Sequence, residues 1–135
     1  MAQPDIYVSV DIEADGPIPA DFSMVQLGAS VVGQPELTFN RYLRPMTDQW
    51  DREALRRINL DRELLLSRGE DPLKVMLDFE QWVQRLSVKG RTVFAAFNAP
   101  FDWMFVHWYL MHFLHRNRFG ISGKDIKAYY MGALG

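Results

Sequence analysis

The sequence predicts an α/β domain built on a mixed sheet, in the element order β-β-β-α-β-α. Three observations lead there. Before residue 45, three β-rich runs follow one another across short turn segments, the pattern of an antiparallel meander. After residue 70, an amphipathic helical pattern is followed by an apolar strand and a second helix, which makes the layout α/β. No stretch has linker composition, so one domain over residues 1–135 is expected.

Each element has a local reason. In "IYVSVDIE" (6–13), Ile6, Val8, Val10 and Ile12 fall on one strand face, and Tyr7, Ser9, Asp11 and Glu13 on the other. "ADGPIPAD" ends that strand with turn residues. "MVQLGASVV" (24–32) reads as the second strand, "GQPE" (33–36) as a turn and "LTFNRYLRP" (37–45) as the third strand. Residues 51–68 predict two short helices, with Asp61 as an N-cap. Asp71-Pro72 is a cap followed by proline in the first helical turn. Leu73, Met76, Phe79, Trp82, Val83 and Leu86 then mark the apolar face of a third helix. "RTVFAAFN" (91–98) is apolar on both faces, which predicts an interior strand. "APFDWMFVHWYLMHFLHRN" (99–117) is a helix apolar on nearly every side. Trp103, Phe105, Trp108, Tyr109 and Phe113 are expected in the core or in a contact with a second copy. The tail "FGISGKDIKAYYMGALG" reads as a loop and the start of another helix.

Composition narrows the function classes. The chain has 135 residues, 48% hydrophobic and 24% charged, ordinary for a soluble globular protein with a real core. Its net charge is −2, so a nucleic-acid ligand would need local positive charge or metal ions. The absence of cysteine excludes disulfides, zinc–thiolate sites and cysteine catalysis, and it fits a cytoplasmic setting. The N-terminus has no basic segment before an apolar run, and no run approaches the ~18 apolar residues of a membrane span. No membrane partner is expected.

Asp11, Glu13 and Asp15, spaced by two and followed by Gly16, fit the first half of a calcium loop, D-x-[DN]-x-[DN]-G. That reading fails at its twelfth position, where a bidentate Glu is required and Phe22 stands. A strand lies upstream where a helix should be. The other reading is a strand end. Residues i and i+2 point the same way, about 6.5–7 Å apart, so Asp11 and Glu13 enter one volume. Two carboxylates that close repel when desolvated, and Mg²⁺ or Mn²⁺ relieves the repulsion. Asp102 in "FNAPFDW" sits just past the interior strand, at the end where open α/β sheets place ligands. As a lone acid it would only complement a helix dipole.

"VDIEADGP" together with "FNAPFDW" resembles the first two motifs of the DEDD superfamily of 3′→5′ exonucleases, the group of the proofreading epsilon subunit, ribonuclease T and oligoribonuclease. The likeness spans residues 6 to about 105, and "FGISGKDIKAYYMG" is similar to these enzymes too. The resemblance implies a ribonuclease-H-like fold and two-metal hydrolysis of nucleic-acid 3′ ends to nucleoside 5′-monophosphates. It implies Asp11, Glu13 and Asp102 as catalytic metal ligands, Mg²⁺ or Mn²⁺ as cofactor, and a single-stranded DNA or RNA 3′ end as partner. A homodimer is a further implication. Asn98 and Phe101, beside Asp102, and Met24, at the start of the second strand, are the candidate nucleic-acid contacts. Phe101 is placed to stack on a terminal base or to pack under the helix, and Met24 to wedge at the 3′ end or to fill the core.

A third motif of the family is missing. It needs a fourth Asp with His five residues earlier or Tyr four earlier. After Asp102 the only acid is Asp125, preceded at those positions by Gly120 and Ile121. His107, His112 and His115 lie on the apolar helix with no acid at that spacing. The expectation is a chain truncated before the third motif, with little or no activity alone. A non-catalytic nucleic-acid-binding or assembly module of the same fold, or a small-nucleotide phosphohydrolase, are the alternatives. The arginines at 52, 56, 57 and 62 interleave with acids, which reads as a solvated helix surface.

Overall fold

The computed structural model describes residues 3–134. Along the chain come β1 (Ile6–Ala14), β2 (Met24–Val31), β3 (Gln34–Tyr42), α1 (Arg52–Arg57), α2 (Arg62–Arg68) and α3 (Pro72–Ser87). Then follow β4 (Thr92–Ala96), α4 (Ala99–Leu114), β5 (Gly123–Asp125) and α5 (Ile126–Leu134). One sheet runs β3-β2-β1-β4-β5. β1, β2 and β3 form the antiparallel meander, and β4 and β5 add parallel to it. The mixed α/β sheet expected from the sequence is present, and its tail supplies an edge strand as well as a helix.

Asp51, Asp61 and Asp71 cap the first three helices. Each carboxylate accepts the backbone N–H two residues on, at 2.9, 2.9 and 3.1 Å. Two local readings need correction. The β2–β3 turn is Val32-Gly33, with Gly33 at φ 86, so Pro35 lies inside β3 rather than in the turn. Proline is tolerated there because β3 is the sheet edge and its missing N–H costs no interior bond. The buried face of α3 is Pro72, Val75, Met76, Phe79, Glu80 and Val83, while Leu73 is 40% exposed. Glu80 accepts from Arg116 at 3.3 Å and from Arg118, so an acid occupies a position that a hydrophobic pattern assigns to solvent.

Helices α3 and α4 cover one face of the sheet. Val8, Val10, Ile12, Phe94 and Ala96 meet Phe79, Phe105, Val106 and Tyr109 in a continuous core. A smaller cluster of Val25, Leu55 and Leu65 lies beneath α1 and α2. The other face carries Tyr7, Ser9, Asp11 and Glu13 from β1, with Gln26, Gly28 and Ser30 from β2, and these are exposed or only half-buried. β1 is the central strand, so an exposed Asp11 in the middle of the sheet marks a surface open to a ligand.

Candidate active site

β1 and β4 pair from Ile6–Thr92 to Ser9–Ala95, and then separate. On its other side β1 stays paired with β2 as far as Ala14. Beyond Ser9, the β4 edge of β1 is therefore open, and the first turn of α4 fills the gap. Asn98, at φ 64, turns the chain from β4 into α4, and its N–H donates to Asp125 Oδ1 at 3.0 Å. Asp102 then reaches back, and its Oδ1 accepts the Ile12 N–H at 2.9 Å. A carboxylate replaces the next rung of the ladder, between Asp11 and Glu13 in sequence.

The three acids share one electrostatic field. Asp11 is exposed, Glu13 half-buried and Asp102 only 6% exposed. Burial pushes the Asp102 carboxyl up to about 6; the Ile12 N–H opposes the rise and the Asp11 charge adds to it. Glu13 is also raised, first by burial and then by Asp11 and Asp102. Carboxyls raised by burial and by a neighbouring acid are a donor set suited to a hard divalent cation. Among the described residues no three His, Asp or Glu side chains are grouped closely enough to hold a metal ion, so the oxygen donors fit a cation in chemistry and not in a preformed ligand set.

Glu13 separates two concavities. One, of about 400 Å³, is walled by Pro17, Ala54, Arg57, Ile58 and Phe101. The other, of about 440 Å³, is lined by Ser9, Asp11, Gln26, Gly28 and Asn40. Gly28 pairs with Asp11 and leaves the space beside it clear of a side chain.

Asp15 is a residue that sequence reasoning undervalued. It is fully buried. Its Oδ1 accepts the Ser23 N–H at 2.6 Å, and its Oδ2 lies 3.6 Å from Arg62 Nη1. Burial raises its carboxyl, and the Ser23 N–H and the Arg62 charge oppose that. The Asp15 carbonyl accepts the Asp51 N–H at 2.7 Å, which fixes the start of α1 and with it the wall of the first concavity. Arg62 also donates to the Thr47 carbonyl at 3.0 Å and lies 5.2 Å over the Trp50 ring. Interleaved charge made this stretch look solvated; the buried partner eight residues from Ser23 gave no local signal.

The structure agrees with the rejection of the calcium reading, because Asp15 is buried in the protein and Phe22 packs on Gly16. A Cβ at Gly16 would sit 2.0 Å from the Phe22 ring. Gly16→Ala is expected to lose about 1–3 kcal/mol by overpacking, measured by urea unfolding.

The remaining predicted residues divide. Phe101 is half-buried, packs 5.3 Å from the Phe105 ring and still lines the concavity. Asn98 is exposed beside Asp102's turn. Met24 is a correction: it is fully buried, and its N–H donates to the Tyr109 hydroxyl at 2.8 Å, so it has no surface to offer a nucleic acid. The histidines are held on α4 by stacking, His107 on Trp103 and His112 on Trp108, and His115 caps its end. Asp125 bonds the Asn98 and Lys127 N–H groups. Phe97, 65% exposed at the end of β4, was not singled out, although a large aromatic before a left-handed turn residue is a readable signal.

No protein-family model matches the chain. Over 129 residues, 95% of this chain and 69% of the relative, it is 40% identical to the 3′-5′ DNA exonuclease Cap18 of Escherichia coli. The chain belongs to the 3′-5′ exonuclease family of Cap18. Solved exonuclease I structures share the fold. A product-bound form superposes with a TM-score of 0.75 at 15% identity, covering 98% of this chain and 32% of that one. Exonuclease I from Methylocaldum szegediense gives 0.72 at 20% identity, covering 94% and 29%. A metal-free Escherichia coli exonuclease I in complex with single-stranded DNA gives 0.76 at 15% identity, covering 97% and 30%. The chain therefore spans about a third of the length of these exonuclease I chains.

Proposed function

We propose that this chain is a metal-dependent 3′→5′ exonuclease domain that takes the 3′ end of a single DNA strand across the open face of its sheet. The observation that supports this best is the 2.9 Å bond from Ile12 N–H to Asp102, which brings the α4 acid to the Asp11–Glu13 strand end. Asp11, Glu13 and Asp102 would hold Mg²⁺ or Mn²⁺, two ions in this reading, which would offset phosphate charge and supply a nucleophilic water for in-line displacement. The chain's own groups do the positioning. Phe101 and Ile58 offer an apolar wall to the terminal base, and Arg57 a cation to a phosphate. Gly28 leaves room for the strand beside Asp11.

Turnover by this chain alone is slow in this reading. Its one acid after Asp102, Asp125, is committed to holding Asn98 and capping α5. No His or Tyr precedes it at the spacing of a general base. Calorimetric titration with Mn²⁺ tests the shared site. The parent is expected to bind, and Asp11→Ala and Asp102→Ala to bind at least about tenfold more weakly. Equal affinity in all three would refute the site. A 5′-labelled single strand incubated with Mn²⁺ should shorten slowly; rapid release of nucleotides would refute the slow-turnover part alone.

A further inference from the structure

The face that carries the carboxylates extends past them. Tyr7 shares it with Ser9, Asp11 and Glu13 by strand alternation. In-register parallel partners point the same way, so the Ser9–Ala95 and Ala95–Lys124 pairs put Lys124 on that face as well. Its ammonium lies 5.4 Å over the Tyr7 ring and 5.3 Å over the Tyr129 ring of α5. Tyr129 is 67% exposed. Lys124 has no carboxylate within ion-pair distance among the described residues, in contrast to Arg91, which pairs with Asp5 at 3.0 Å. Arg116 and Arg118 share the single buried Glu80, which leaves a second excess positive charge nearby. Arg91, Arg118 and Lys124 line one concavity of about 440 Å³. This end of the sheet is thus locally positive in a chain of net charge −2.

We propose that Tyr7, Lys124 and Tyr129 form an upstream contact for the single strand, with Lys124 holding a backbone phosphate and Tyr129 stacking on a base. The proposal rests on the exonuclease reading above for the direction of the strand. Tyr7 precedes Asp11 by four residues, about 13 Å along β1. At the ~3.4 Å rise of a stacked strand that distance is about four nucleotides, and fewer when the strand is stretched. A strand whose 3′ end lies at the carboxylates therefore reaches the cluster only when it is several nucleotides long. An exposed aromatic and a cation side by side match what a single strand presents, a base face next to a phosphate. An acidic peptide would use the cation alone.

Fluorescence anisotropy with labelled oligothymidylates of about three and about ten nucleotides, without metal to prevent hydrolysis, tests this. Lys124→Ala and Tyr129→Ala are each expected to weaken the longer strand about fivefold or more and to leave the shorter one within about twofold. Tyr129→Phe should retain affinity, and Lys124→Ala should reduce the salt slope by about 0.7. Both positions are exposed, and circular dichroism verifies that the variants fold. Unchanged affinity for the longer strand, an equal loss for both lengths, or an equal loss for polyglutamate would overturn the proposal. So would no binding of the longer strand by the parent. Mn²⁺ titration of Asp11→Ala judges the exonuclease reading separately, since it involves no nucleic acid.

Discussion

Arg62→Ala is expected to lose about 3–5 kcal/mol of stability. Arg62 is the cationic neighbour of a carboxylate with no solvent exposure, at 3.6 Å, and it is itself nearly enclosed. Removing it leaves Asp15 charged in a dry site and lifts the guanidinium from Trp50. The loss is not local, because Asp15 holds Ser23, at the entry to β2, and Asp51, at the start of α1. Denaturant unfolding at neutral pH gives the magnitude, and the double variant Asp15→Asn with Arg62→Met supplies the control. A neutral pair should recover much of the loss, since the cost of one buried charge is absent from it. An Arg62→Ala variant as stable as the parent would show that Asp15 is hydrated and the pair without weight.

Asp102→Asn is expected to abolish measurable Mn²⁺ binding and at the same time to stabilise the free protein at neutral pH. The sign follows from the raised pKa. The folded carboxyl titrates near 6, above its ordinary 3.8, so the unfolded chain releases the proton first. Stability that is fully present below about pH 4 falls as pH rises towards 6 and stays low above that. Asparagine keeps an oxygen for the Ile12 N–H and carries no charge, so that fall disappears. The gain at pH 7 is on the order of 1–2 kcal/mol once solvent screening is allowed for. Thermal unfolding of the two proteins should agree near pH 4 and diverge towards pH 7. Saturating Mn²⁺ reverses the order, since ligand at about a hundred times its dissociation constant adds about 2.7 kcal/mol to the parent only. A variant less stable than the parent at pH 7 would mean that the Ile12 bond outweighs the buried charge.

What could be read from the residues was whatever has a local cause. Alternation in 6–13, the Asp-Pro cap at 71–72 and the uniform apolarity of 99–114 each report an element, because pattern and conformation share a period. The carboxylates at two strand ends were legible for the same reason: a strand aims alternate side chains, and a helix begins where the next strand stops. Contacts between distant segments were not legible. Glu80 lies off the apolar face that the sequence marks on α3, yet it is buried, with Arg116 and Arg118 reaching it from beyond α4. Arg62 looked like one of several solvated arginines until Asp15 stood beneath it. Met24 could be a wedge or core by sequence, and only its complete burial among the residues packed between sheet and helices decided for core.

The bond that closes the gap between β1 and β4 makes one amide proton a witness to the site. Ile12 N–H has as its acceptor the same carboxylate a cation would draw on. Whatever withdraws charge from Asp102, a proton or a metal ion, weakens the acceptor for that one amide. Its chemical shift and hydrogen-exchange rate thus follow the occupancy of the acidic cluster, with no substrate. A single nitrogen-resolved resonance reports whether a proton or a metal ion sits at Asp102.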